Sequence, residues 1–233
     1  MLIYIRIRIL FLFSIIQTIQ TTESKLVHAC MFNTTCGCSS NDGATSRIIG
    51  GDPADADNWD WVVSLRVGRD HICGGTLISP SFVITAAHCL KLVNNLLNLK
   101  VYAGSRYLSV IDQERSVSYS YYPFEYDEEK FIHDIALLRL SSPFSMNDRS
   151  LAIICLPNIS LQSYPPMNLR LVAIGWGTTT SDSRTPSNVL QQVTLSSVSR
   201  LEPHCRQILQ NTDFQFCAGS NGEQKGSFAY LKS

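Results

Sequence analysis

The stretch CGGTLISPSFVITAAHC, residues 73–89, decides the fold. At its centre SFVI (81–84) is a short apolar run that follows Pro80 and Ser79, and its end sets His88 between Ala87 and Cys89. The same pattern continues on both sides. WVVSL (61–65), IALLRL (135–140) and LVAI (171–174) are runs of similar length, separated by Gly, Pro, Asn and Ser. Such runs, rich in Val and Ile and bounded by turn residues, read as strands. Many short strands with this punctuation make an all-β barrel or sandwich, with PHCRQIL (203–209) as one short helix. No repeat at a fixed period and no low-complexity tract interrupts it.

Composition narrows the function classes. The chain has 233 residues, 45% of them hydrophobic, with 19 basic and 19 acidic side chains and no formal net charge. That length suits one compact unit or two small barrels sharing a core. Clustered Lys and Arg, the footprint of nucleic-acid binding, are lacking, so no nucleic-acid partner is expected. The acidic run Asp127-Glu128-Glu129 reads as a solvated loop.

Arg6 and Arg8 precede ILFLFSII (9–16), after which the chain turns polar. A basic stretch ahead of a short apolar core reads as a secretory signal, taken as residues 1–24, and the core is too short to span a bilayer. The expected location is therefore extracellular. Residues 25–47 are polar and cysteine-rich without a hydrophobic period, and read as a propeptide or linker ahead of a domain over 48–233. The chain holds eight cysteines, an even number, and in an exported protein disulfides are the default. Cys30, Cys36 and Cys38, with His28 nearby, lack a second pair at metal-ligand spacing, so no metal or other cofactor is expected. Asn33-Thr34-Thr35 and Asn158-Ile159-Ser160 are glycosylation sequons.

A lone histidine is more often structural than catalytic, and His28, His71, His133 and His204 are read so. For His88, four motifs in order change the reading. They are Arg47-Ile48-Ile49-Gly50-Gly51, the 73–89 stretch, Asp134-Ile135-Ala136-Leu137-Leu138, and the pair Gly175-Trp176-Gly177 and Phe216-Cys217-Ala218-Gly219. Together, over residues 47–225, they resemble the chymotrypsin–trypsin family of secreted serine proteases. The resemblance implies a double antiparallel β-barrel and peptide hydrolysis by a His-Asp-Ser triad. It assigns His88 as general base and Asp134 as the carboxylate that orients it. It places an activating cut by a trypsin-like protease between Arg47 and Ile48. It pairs Cys73 with Cys89, a closure contributing about 3 kcal/mol, and Cys205 with Cys217. Cys155 would tether the propeptide through Cys30, Cys36 or Cys38, with the other two joined. Expected partners are protein or peptide substrates, the activating protease and protease inhibitors.

The sequence departs from the family after Lys225. The Gly-Asp-Ser-Gly-Gly motif expected a few residues past Cys217-Ala218-Gly219 is not among residues 1–233. By spacing, Ser227 aligns with the serine beside the pocket aspartate, Gly226 falls where trypsin-like enzymes carry that aspartate, and Ser233 lacks flanking chain to hold it. The expectation is a second barrel left incomplete, and a chain inactive as written. Two functions are compatible with that: an endopeptidase whose serine lies outside these residues, and a secreted, non-catalytic homologue that binds or regulates.

Overall fold

The computed structural model describes residues 5–7, 28–29, 36–39, 52–54, 58–147, 150–156, 166–179, 185–209, 211, 213 and 215–219. In chain order the strands are β1 (Ile5–Ile7), β2 (His28–Ala29), β3 (Cys38–Ser39), β4 (Asp52–Pro53), β5 (Val62–Val67), β6 (Asp70–Ser79) and β7 (Phe82–Thr85). They continue as β8 (Leu99–Ala103), β9 (Gln113–Tyr121), β10 (Ala136–Leu140), β11 (Arg170–Gly175), β12 (Gln191–Val198) and β13 (Phe216–Gly219). Among the described residues two short α-helices, α1 (Ala87–Lys91) and α2 (Pro203–Ile208), and a 3-10 turn at Leu96–Asn98 interrupt them. The four runs read as strands fall on β5, β7, β10 and β11, with Trp61, Ser81 and Ile135 just ahead of the first three, and the short helix lies at α2. Helix α1 had no periodic signal, being barely more than one turn.

Six strands close a barrel in the order β10-β7-β6-β5-β8-β9. Alternation along the strands makes this closure favourable. In β8, Leu99, Val101 and Ala103 point inward while Lys100 and Tyr102 do not, and in β10 Ala136, Leu138 and Leu140 do the same around Arg139. The interior is filled by Trp61, Val63, Leu65, Leu77, Val83 and Leu138, all sealed from solvent. Register shifts at Leu65/Arg66, Leu77/Ser79 and Arg139/Leu140 bend the strands around so small a circumference. Gly75 is needed there for space: a Cβ would lie 2.8 Å from Val83 Cγ1 and 3.1 Å from Val63 Cγ2.

The second sheet, in the order β1-β13-β12-β11 with β4 on β12, is not closed among the described residues. Strand β11 serves two cores. Val172 and Ile174 pack with the barrel's cluster, whereas Leu171 and Ala173 pack with Val193, Leu195 and Ala218. Polar links tie the two units. Trp59 Nε1 donates to Gln192 Oε1 at 2.6 Å, and Trp176 Nε1 donates to the Arg106 carbonyl at 2.9 Å. The fold is therefore the double-barrel architecture with its second sheet partial. No helix among the described residues is long and apolar enough to cross a membrane.

Candidate active site

Strands β7 and β10 run antiparallel with Thr85 opposite Ala136. The chain leaving β7 and the chain entering β10 therefore meet at one end of the barrel. His88, three residues past Thr85, and Asp134, two before Ala136, come together there although 46 residues separate them in sequence. His88 Nδ1 lies 2.7 Å from Asp134 Oδ2, and the His88 backbone N–H donates to Asp134 Oδ1 at 2.9 Å. An ionised carboxylate can only accept, so the first contact puts the ring proton on Nδ1 and leaves Nε2 as the basic nitrogen.

The second bond has a structural cause as well. Ala86 caps α1 with extended backbone and offers no side-chain acceptor. The first turn of any helix leaves its N–H groups without intrahelical partners. Asp134 supplies, from the loop ahead of β10, the acceptor that a Ser or Asp cap would have given locally. Its carboxylate is 0% exposed, against 15% for the His88 side chain. A buried carboxylate is costly unless paired, and these two bonds serve both the helix end and the imidazole.

Covalent and packing constraints fix the histidine further. Cys89 bonds Cys73 of β6, pinning α1 to the barrel wall. Ala86 and Ala87 are fully buried, so side chains larger than methyl would push the helix away. Both sulfurs lie close to the His88 ring in a ligand-like cluster. Tied up in the disulfide, they have no thiolate to offer a metal. Phe131 meets His88 edge-on, with ring centroids 6.0 Å apart at 77°.

The other cysteines are placed as follows. Cys205 of α2 bonds Cys217 of β13. Of the three candidates for Cys155, the partner is Cys36. Gly37 makes that approach feasible: its φ is +73°, a Cβ on it would stand 2.8 Å from Cys155 Sγ, and its N–H donates to the Ile153 carbonyl at 2.8 Å. Cys38 opens β3. Arg47, Ile48, Cys30, Asn33 and Asn158 lie outside the described residues, as do Gly226, Ser227 and Ser233 and nearly all of the 1–24 segment. Asp127 of the acidic run accepts from the Glu129 and Lys130 backbone N–H groups and pairs with Lys130 Nζ at 3.3 Å.

His71 makes a second, half-buried histidine site, between the two units. Its Nδ1 lies 2.8 Å from Ser64 Oγ, its ring meets Trp176 edge-on at 5.5 Å, and Arg66 Nε donates to the same Ser64 hydroxyl. Desolvation first, and the Arg66 charge second, lower its pKa to about 4, so it is neutral at physiological pH.

Comparison with known proteins bears on the family and the fold. The family model described as Trypsin matches residues 48–228. The chain belongs to the trypsin family. Within the family, Trypsin alpha of Drosophila melanogaster is 36% identical over 155 residues, covering 66% of this chain and 58% of that protein. Transmembrane protease serine 11C of Mus musculus is 36% identical over 162 residues, covering 70% of this chain and 36% of the relative. The chain thus spans a little over half of one relative and about a third of the other. The solved structure of neuropsin, a serine protease expressed in mouse brain, superposes with a TM-score of 0.66 at 26% identity, covering 78% of this chain and 79% of that one.

Sequence reasoning missed two residues at this site. Phe131 has no motif signal beyond its nearness to Asp134. Gln215, which reaches the loop ahead of Asp134 from the second sheet, sits two residues before Cys217 with nothing local to mark it.

Proposed function

We propose that this chain carries the general-base half of a secreted serine endopeptidase, with the nucleophilic serine lying outside residues 1–233. The observation that carries the reading is the 2.7 Å contact of His88 Nδ1 with a fully buried Asp134. In that mechanism His88 Nε2 takes the proton of the attacking serine hydroxyl as the oxygen bonds to the scissile carbonyl carbon. The imidazolium so formed, stabilised by Asp134, returns the proton to the leaving amine, and water then hydrolyses the acyl-enzyme. Substrates are proteins or peptides.

Residues 1–24 serve as the export signal, so that β1 leaves the edge of the second sheet when the signal is removed, and a trypsin-like protease activates the protein by cutting between Arg47 and Ile48. Because Cys36 lies before that cut and Cys155 after it, their disulfide would keep the propeptide attached. Asn33 and Asn158 are glycosylated on export, and protein protease inhibitors are expected partners. The alternative reading is a secreted, non-catalytic homologue that binds or regulates.

Sequencing the transcript through and beyond the Lys225 codon, then treating the secreted, trypsin-activated product with a fluorophosphonate probe, separates the two. Labelling that disappears in His88→Ala supports the endopeptidase. Transcripts ending at the Ser233 codon, with an unlabelled product, would overturn it in favour of the binding homologue.

A further inference from the structure

The segment between β9 and β10 turns toward Asp134 through two non-glycine residues with left-handed backbone, Phe131 at φ 54° and His133 at φ 56°. A bulky side chain is disfavoured there and persists only where surrounding structure imposes it. Part of that support is internal. The Asp127 N–H donates to the Ile132 carbonyl at 3.0 Å, and the Ile135 N–H donates to the His133 carbonyl at 2.8 Å.

Further support comes from the residue ahead of β13. Gln215 Nε2 donates to the carbonyls of Lys130 and Phe131, at 2.9 and 3.2 Å, while its Oε1 accepts the Asn211 N–H at 3.2 Å. The residue is 4% exposed. It immediately precedes β13, whose Cys217 is bonded to Cys205 of α2, so the amide is held on a cross-linked support. A primary amide suits this place: it can donate two protons to two carbonyls and accept one in return. An isosteric methionine could do neither, and an ionised glutamate could only accept. Either replacement would leave the Lys130 and Phe131 carbonyls without this donor and lose both bonds.

We propose that Gln215 is a positioning residue for the His88–Asp134 pair. By holding the left-handed turn it keeps Phe131 against the His88 ring and sets the backbone that delivers Asp134. The geometry of a pair built on the first barrel thereby depends on the α2–β13 segment of the second sheet. The catalytic consequence rests on the endopeptidase reading above, whereas the structural dependence does not.

The test is native-state hydrogen exchange by NMR on the oxidised 233-residue chain, following the amides of Asp127 and Ile135. In the unmodified protein these amides should open together with the amide of Ala218 in β13 as denaturant is raised, before those of Val83 and Leu138. In Gln215→Met they should exchange about 10-fold faster, with Val83 and Leu138 unchanged and the downfield His88 Nδ1 proton broadened by solvent exchange. Gln215→Glu at neutral pH should do the same, showing that the lost donors matter rather than side-chain volume.

If Asp127 and Ile135 open with Val83 and Leu138 in the unmodified protein, the first barrel alone holds the turn and the proposal fails. That comparison decides the matter even if neither variant folds. Unchanged exchange and an unchanged His88 proton in a folded Gln215→Met would overturn it equally. None of these readouts involves a nucleophile, so this proposal and the endopeptidase reading can fail separately.

Discussion

The two halves of the molecule use the same strand chemistry and reach different degrees of completion. In the first, six strands close on themselves, and Trp61, Leu65, Leu77 and Leu138 have no solvent contact. In the second, β11, β12 and β13 form a sheet that is open among the described residues, and its core residues Leu171, Val193 and Leu195 each keep a trace of exposure, up to 8% for Val193. Closure removes edges and seals the interior, and at its sealed end Asp134 is held by two hydrogen bonds from His88, one from the ring and one from the backbone. The open sheet contributes something else to the site, a polar side chain that reaches across to the loop before Asp134.

The largest effect that could sharpen this contrast concerns Asp134. In the serine-containing product, Asp134→Asn should lower kcat about 10⁴-fold, because an amide at this position no longer selects the Nδ1–H tautomer. An amide hydrolysis assay on the activated enzyme measures it. A loss below 10-fold would mean the sealed end of the barrel is not where the base is set.

Next comes packing. Leu138→Ala should destabilise by about 4 kcal/mol and Leu195→Ala by about 2 kcal/mol, the upper and lower parts of the range for core leucines, since an open sheet relaxes around a cavity more readily. Urea denaturation of both variants compares them, and equal losses would erase the distinction drawn between the halves. Replacing Cys73 and Cys89 together by serine should cost about 3 kcal/mol. The loss should appear as faster exchange in α1 and β6 while β12 is spared.

The smallest effect is a pH limb. The folded-state pKa of His71, about 4, lies below its unfolded value, so the unfolded chain binds the extra proton first. The associated stability is complete above about pH 6.5 and is lost as pH falls toward 4, on the order of 2 kcal/mol after allowing for partial solvent contact. Thermal melts from pH 7 to 4 should show the decline, and His71→Gln should flatten it. A limb of the same size in that variant would assign the decline to other groups.

How far the sequence was readable follows from the range of each interaction. The runs at 61–65, 135–140 and 171–174 lie in strands because alternation and β-branching act over a few residues. Helix α1 was not apparent: one turn shows no period, and its cap is a carboxylate 46 residues away. The partner of Cys155 stayed open among three cysteines, because only the approach of Gly37 to the 153–155 segment distinguishes Cys36. Gln215 gave no signal, since a glutamine before a strand is unremarkable until its amide is found on two carbonyls 84 and 85 residues away.

The amino-acid sequence alone determined the strand pattern, the family and the identity of His88 and Asp134 as the pair to look for, because apolar periodicity and motif order are written locally along the chain. Tertiary structure alone decided that Asp134 caps α1 as well as orienting His88, that Cys36 takes Cys155, and that the second sheet steadies the turn before Asp134 through Gln215. Each of these depends on where two distant backbones come to lie within hydrogen-bonding or bonding distance, and that is set by the packing of the whole barrel.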